Sequence, residues 1–137
     1  MSKYTKAREI IEKEIQDNIK TADKYFDYCK DMLYDAGRKY NYLLQAESLI
    51  STNQMLQSLL RHVDFLNRKN TNDDEQYMVL LNTLFETSTK AKIYANSIYG
   101  KNIEDHDYQR SIFIFHYTMS YQLGKIYSKL FEISEDH

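Results

Sequence analysis

Residues 40–60 read YNYLLQAESLISTNQMLQSLL and carry one formal charge, at Glu47. Residues 111–124 read SIFIFHYTMSYQLG and carry none unless His116 is protonated, although Asp, Glu, Lys and Arg make up 28% of the 137-residue chain. A helix with a wet face normally shows ionic side chains there. Both stretches therefore read as helices enclosed on most sides, by their own bundle or by a second chain.

The first stretch sits inside a helix expected over about residues 39 to 67, burying Tyr40, Leu43, Leu44, Leu49, Ile50, Leu56, Leu59, Leu60, Val63 and Leu66. Its other positions, Asn41, Gln45, Ser48, Ser51, Thr52, Asn53, Gln54, Gln57 and Ser58, are neutral hydrogen-bonding side chains that suit a semi-enclosed face. Upstream, Ile11, Ile15, Ile19, Ala22, Phe26, Cys29, Leu33 and Ala36 recur at spacings of three and four, which predicts a first helix over about residues 3 to 35 with an ionic outer face. Asp35, Ala36 and Gly37 are placed to turn the chain. The apolar stripe also threads through Gly37 to Leu43, so the alternative is one fused helix of roughly 60 residues in a dimeric bundle.

Downstream, residues 67–74 contain no apolar side chain and mark the clearest loop, with Thr71, Asn72 or Asp73 as the next cap. A third helix is predicted to about Ile98 through Met78, Leu81, Leu84, Phe85, Ser88, Ala91 and Ala95, with Gly100 just past its end. A fourth starts near Glu104, capped by Asn102 or Asp105, and reaches about Ser134 through Ile112, Phe115, Met119, Leu123, Ile126, Leu130 and Ile133. Residues 112–115 could pass for a buried strand, but a lone strand would leave its backbone unpaired. The chain has no Pro and three Gly, which favours long helices over a many-turned β fold. The expected fold is all-α: one domain over 1–137, an elongated antiparallel four-helix bundle running up-down-up-down.

A net charge of −2 with no run of like charges excludes bulk attraction to nucleic acid or an anionic membrane. The single Cys29 excludes an internal disulfide framework, suits a reducing compartment and falls on an apolar stripe. Residues 1–30 are charged throughout, so no signal peptide is expected, and no uncharged stretch is long and apolar enough to cross a bilayer. A soluble, cytoplasmic protein is expected. Abundant Lys, Asn, Ile and Tyr without Trp or Pro fit an AT-rich genome, such as that of a low-GC bacterium or its phage.

No Gly-rich phosphate loop, nucleophile elbow or paired-cysteine metal motif occurs. No Glu-x-x-His occurs either, and His106 and His116 sit about 80° out of helical register, so neither a metal nor a cofactor is expected. His62, beside Arg61, reads as a favourable group near a helix C-terminus. Thirteen Tyr and six Phe raise base stacking, but the fourth helix has aromatics without interleaved cations, and near Tyr25, Tyr28, Tyr34, Tyr40 and Tyr42 the acidic residues Asp23, Asp27, Asp31 and Asp35 offset the basic ones. Nucleic acid is therefore not the expected partner.

Arg110 and His116, six residues apart on the fourth helix, offer a phosphate clamp and a proton-transfer group. This spacing resembles the Arg…His motif of the HEPN superfamily, with Ser111 where a polar residue such as Asn is common in that family. The resemblance covers Arg110 to His116 alone. It implies a small, dimerising helical bundle that cleaves RNA without metal at the dimer interface. The alternative from the residues themselves is a surface Arg110 and a hydrogen-bonded, buried His116.

Charge-depleted aromatic surface is what protein interfaces enrich. The leading functional expectation is a non-enzymatic protein-protein interaction module, a regulator, adaptor or inhibitor, that forms a homodimer and binds an unidentified protein through the uncharged faces of its second and fourth helices. The expected interface residues are Tyr40, Gln45, Thr52, Phe113, Tyr117, Tyr121 and Tyr127. The runner-up is the HEPN-like ribonuclease using Arg110 and His116, and the third reading is a small apolar ligand held in the bundle core.

Overall fold

The computed structural model describes residues 3–30, 36–69, 74–99 and 106–135, with side chains at 3–30, 37–69, 75–97 and 111–133. Four helices account for them: α1 (Lys3–Lys30), α2 (Ala36–Arg68), α3 (Asp74–Tyr99) and α4 (His106–Glu135). No strand occurs among the described residues, and 112–115 lies inside α4. The helix contacts are those of a bundle, with α4 packed against each of the other three, α1 against α2, and α3 chiefly along α4.

The second helix begins earlier than the composition suggests. α1 is described to Lys30, and Ala36 and Gly37 belong to the first turn of α2 instead of making a turn themselves. A fused helix is ruled out because the rings of Tyr28 and Tyr42 lie 5.4 Å apart and Cys29 Sγ reaches the Lys39 carbonyl oxygen at 3.6 Å. A continuous helix would hold residues 28 and 42 about 21 Å apart. Asp35, the expected caps Thr71, Asn72, Asp73, Asn102 and Asp105, and also Gly100 and Glu104, lie outside the described residues. α2 runs on to Arg68, so the loop is shorter than 67–74, and the Lys69 amide closes the end on the Phe65 carbonyl oxygen at 3.3 Å.

Two cores result. The larger gathers Ile11 and Ile15 of α1, Leu56 and Val63 of α2, Leu81 of α3, and Leu123, Ile126 and Leu130 of α4. The smaller holds Ala22, Ala46 and Leu49, with Tyr25 and Phe26 packed on it. Between them Asn18 Nδ2 donates to Asn53 Oδ1 at 2.9 Å, and Asn53 Nδ2 donates to the Ile15 carbonyl oxygen at 3.1 Å. Both amides are buried, and pairing removes most of the desolvation cost of placing them there.

Several expected core positions are shifted. Ile19, Tyr40, Ile50, Met78 and Phe85 are exposed, whereas Glu14, Asn18, Tyr77 and Leu80 are buried. In α1 the inward row is Tyr4, Ala7, Ile11, Glu14, Asn18 and Ala22, still at spacings of three and four but passing through two polar residues. Hydropathy rejects Glu14 and Asn18, and so moves the stripe onto Ile19. Glu14 is tolerable inside because Lys125 Nζ lies 2.9 Å from its Oε1.

Tyr77 ties α3 to α4 by donating its hydroxyl to the Leu130 carbonyl oxygen at 2.6 Å, with the Tyr4 ring 5.7 Å away. Burial, with Tyr4 adding to it, pushes this phenol up to about 12. Tyr77→Phe removes the donor and leaves a buried carbonyl short of a partner. Chemical unfolding is expected to register a loss of about 1 to 2 kcal/mol, and an unchanged midpoint would remove the hydrogen bond from the list of tertiary ties.

Candidate functional site

Four of the seven expected interface residues meet at one groove. Gln45 of α2 and Phe113, Tyr117 and Tyr121 of α4 line a space of about 470 Å³ that is walled on its far side by Thr21 and Tyr25 of α1. The Phe113 and Tyr117 rings stack at 5.6 Å and 20°. Tyr25 stacks in turn on Tyr42 at 5.6 Å. The other three residues are elsewhere. Thr52 is fully buried and donates to the Ser48 carbonyl oxygen at 2.8 Å, so it faces no partner. Tyr127 is half-buried against the large core, 5.4 Å from the Phe85 ring, and Tyr40 stands exposed near the start of α2.

The groove also contains a residue that sequence reasoning passed over. Gln122 is 8% exposed and lines the groove, yet its Oε1 is buried without a hydrogen-bond partner. A buried acceptor left unpaired costs about 1 to 3 kcal/mol, so the fold retains a carboxamide here at a penalty. Among the described residues, no ionised side chain lines this groove.

Tyr117 and Tyr121 have a second side. They form the ridge between that groove and a neighbouring cleft of about 350 Å³ containing Lys92, Lys125, Ser88 and Ser128. Lys125 is hydrogen-bonded to Glu14, which raises its pKa against the opposing effect of burial, and its Nζ lies 6.0 Å from the Tyr121 ring centroid. The cleft floor is a tight α3–α4 seam. Ser88 Oγ donates to the Ser120 carbonyl oxygen and Ser120 Oγ to that of Ser88, each at 2.8 Å. A Cβ on Gly124 would come within 3.2 Å of Ser88 Oγ, so the absence of a side chain lets the helices close here.

A third groove, of about 270 Å³, separates α2 from α3. Met55, Leu59 and His62 face Val79 and Leu84 across it, with Leu123 of α4 also in its lining. His62 is exposed and lies six residues before the end of α2 at Arg68, beyond the last turn where the helix dipole acts. The groove, not the helix end, is its environment.

Arg110 belongs to α4, and its side chain lies outside those described. His116 is half-buried, not fully buried, with the rings of Tyr94 and Phe115 at 4.5 and 5.1 Å. Burial pushes its pKa below the usual histidine value. Among the described residues, no three of His, Cys, Asp and Glu come together as metal ligands would, and no helix is long and apolar enough to cross a membrane. Comparison with protein-family models, with curated proteins and with solved structures finds no match.

Proposed function

We propose that this chain is a non-enzymatic protein-protein interaction module, a regulator, adaptor or inhibitor that works as a homodimer of single-domain antiparallel bundles. The up-down-up-down course is supported by contacts whose numbers run in opposite senses. Arg8, Asn18 and Cys29 meet Asp64, Asn53 and Lys39 in turn, while Tyr77, Ser88 and Tyr94 meet Leu130, Ser120 and His116.

The observation that carries the interaction reading is the under-covered third helix. α3 buries Tyr77, Leu80, Leu81, Leu84, Ala91 and Ala95, yet Met78, Val79, Phe85 and Ile93 stand 44 to 62% exposed. Of these Val79 lines the α2–α3 groove, together with Met55 of α2, which is also exposed. Exposed apolar side chains at the rim of an apolar groove are a usual mark of a covered face.

The occupant is a second copy. Among the described residues the α2–α3 groove is lined by apolar and neutral side chains apart from His62, so a charged helix gains nothing by entering it. The chain's own α3 offers matching apolar side chains, and a two-fold contact uses the same patch on both subunits. Val79→Lys places a charge on that patch at a position 54% exposed, where the fold tolerates it. Light scattering is expected to find the parent as a dimer and V79K as a monomer with unchanged helical circular dichroism. Equal masses for the two would remove α3 from the interface.

A further inference from the structure

We propose that α4 also carries a nucleotide site, with the base in the α1–α4 groove and the phosphate in the lysine cleft beyond Tyr117 and Tyr121. This lies on a different surface from the α2–α3 groove, so it stands or falls independently of the dimer. Three features of the groove suit a base. Tyr25, Tyr117 and Tyr121 line it with aromatic rings, the side chains on which bases stack. Two carboxamides, Gln45 and Gln122, each present a donor beside an acceptor, the arrangement that pairs with the edge of a base. Gln122 is the more telling of the two, because it is held more than nine-tenths buried with an unpartnered oxygen, which a base N–H satisfies once the amide turns toward the groove.

Among the described residues that groove is lined by aromatic and neutral side chains, which suit a ring system, whereas lysines line the neighbouring cleft. Phosphate has its own place nearby. Tyr117 and Tyr121 are shared by both spaces, and the second contains Lys92, Lys125 and Ser128. Glu14 neutralises Lys125, leaving Lys92 to carry the net positive charge. One net cation matches a monophosphate better than a triphosphate. The cations missing around the aromatic residues of the fourth helix are thus supplied in part by α3, through tertiary packing.

The test titrates the intact chain with the four ribonucleoside monophosphates, their nucleosides and inorganic phosphate, read by calorimetry and by tyrosine fluorescence. At least one monophosphate is expected to bind with Kd below about 1 mM, roughly tenfold tighter than its nucleoside, a difference worth about 1.4 kcal/mol. K92A is expected to abolish that difference, and Q122L to weaken monophosphate and nucleoside alike by roughly tenfold while leaving the melting temperature no lower. A single-stranded oligonucleotide that binds more tightly per site than the monophosphate assigns the nucleotide to RNA, and one that binds no better assigns it to the free pool. Absence of saturation by any monophosphate, full affinity in Q122L, or inorganic phosphate binding as tightly as the monophosphate would overturn the proposal.

Discussion

Replacing Ile126 with Ala is expected to lower the unfolding free energy by about 3 to 4 kcal/mol, within the range for large-to-small changes in a closed core. Ile126 is fully buried in the larger core, on α4, which packs against each of the other three helices. A cavity there strips contacts from several helix pairs at once, and the surrounding helices cannot close over it without disturbing the Tyr77–Leu130 and Asn18–Asn53 ties. Because small domains carry only about 5 to 15 kcal/mol in total, this loss is a large share of the parent's stability. Ile19→Ala is the control: this side chain is 41% exposed, and its loss is expected to cost under about 1 kcal/mol. Urea unfolding of both variants separates them, and comparable losses at the two sites would mean that α1 is rotated about its axis from the arrangement described.

Lys125→Met is expected to destabilise the chain by about 3 kcal/mol, far more than a surface ion pair contributes. The Glu14 carboxylate is 2% exposed, and removing its partner leaves a charge with neither water nor a counterion. A double variant, Glu14→Leu with Lys125→Met, is expected to recover most of the loss, since replacing both partners by apolar groups is close to neutral. The pair also sets a pH dependence. The hydrogen bond that Lys125 donates to Glu14 raises the Lys125 pKa above its ordinary 10.5, so the folded state holds the proton more tightly than the unfolded one. Its stabilising contribution is therefore complete at neutral pH and is lost in alkali, as pH climbs from about 10.5 through the raised folded value. Thermal melts of the parent are expected to fall over that window while K125M stays flatter. Parallel curves would show that the pair is not coupled to folding.

The helices were legible because their apolar spacing is long and regular: Leu123, Ile126 and Leu130 point where their period puts them. What the spacing could not reveal is which polar residues the core accepts. Glu14 looked like part of the ionic face because its partner lies 111 positions away on α4, and no local pattern announces such a pair. Gly37 is misleading for a related reason, because a glycine is allowed in a first helical turn and composition alone does not separate that place from a tight turn.

At the candidate site, charge depletion pointed to the groove holding Gln45, Phe113, Tyr117 and Tyr121. It also pointed to Thr52, because a buried threonine bonded to its own helix has the same composition as one that faces a partner. Nothing local marked Gln122, and Lys92 entered the picture only when α3 was laid beside α4.

Covering of the α2–α3 face by a second chain is the premise on which the interaction reading depends. Sedimentation equilibrium of the unmodified protein over a concentration series from low to high micromolar addresses it directly. A mass approaching twice that of the chain, falling toward a single chain on dilution, is the expected result. One chain mass throughout the series, with Val79 and Met55 accessible to solvent labels at every concentration, would contradict it.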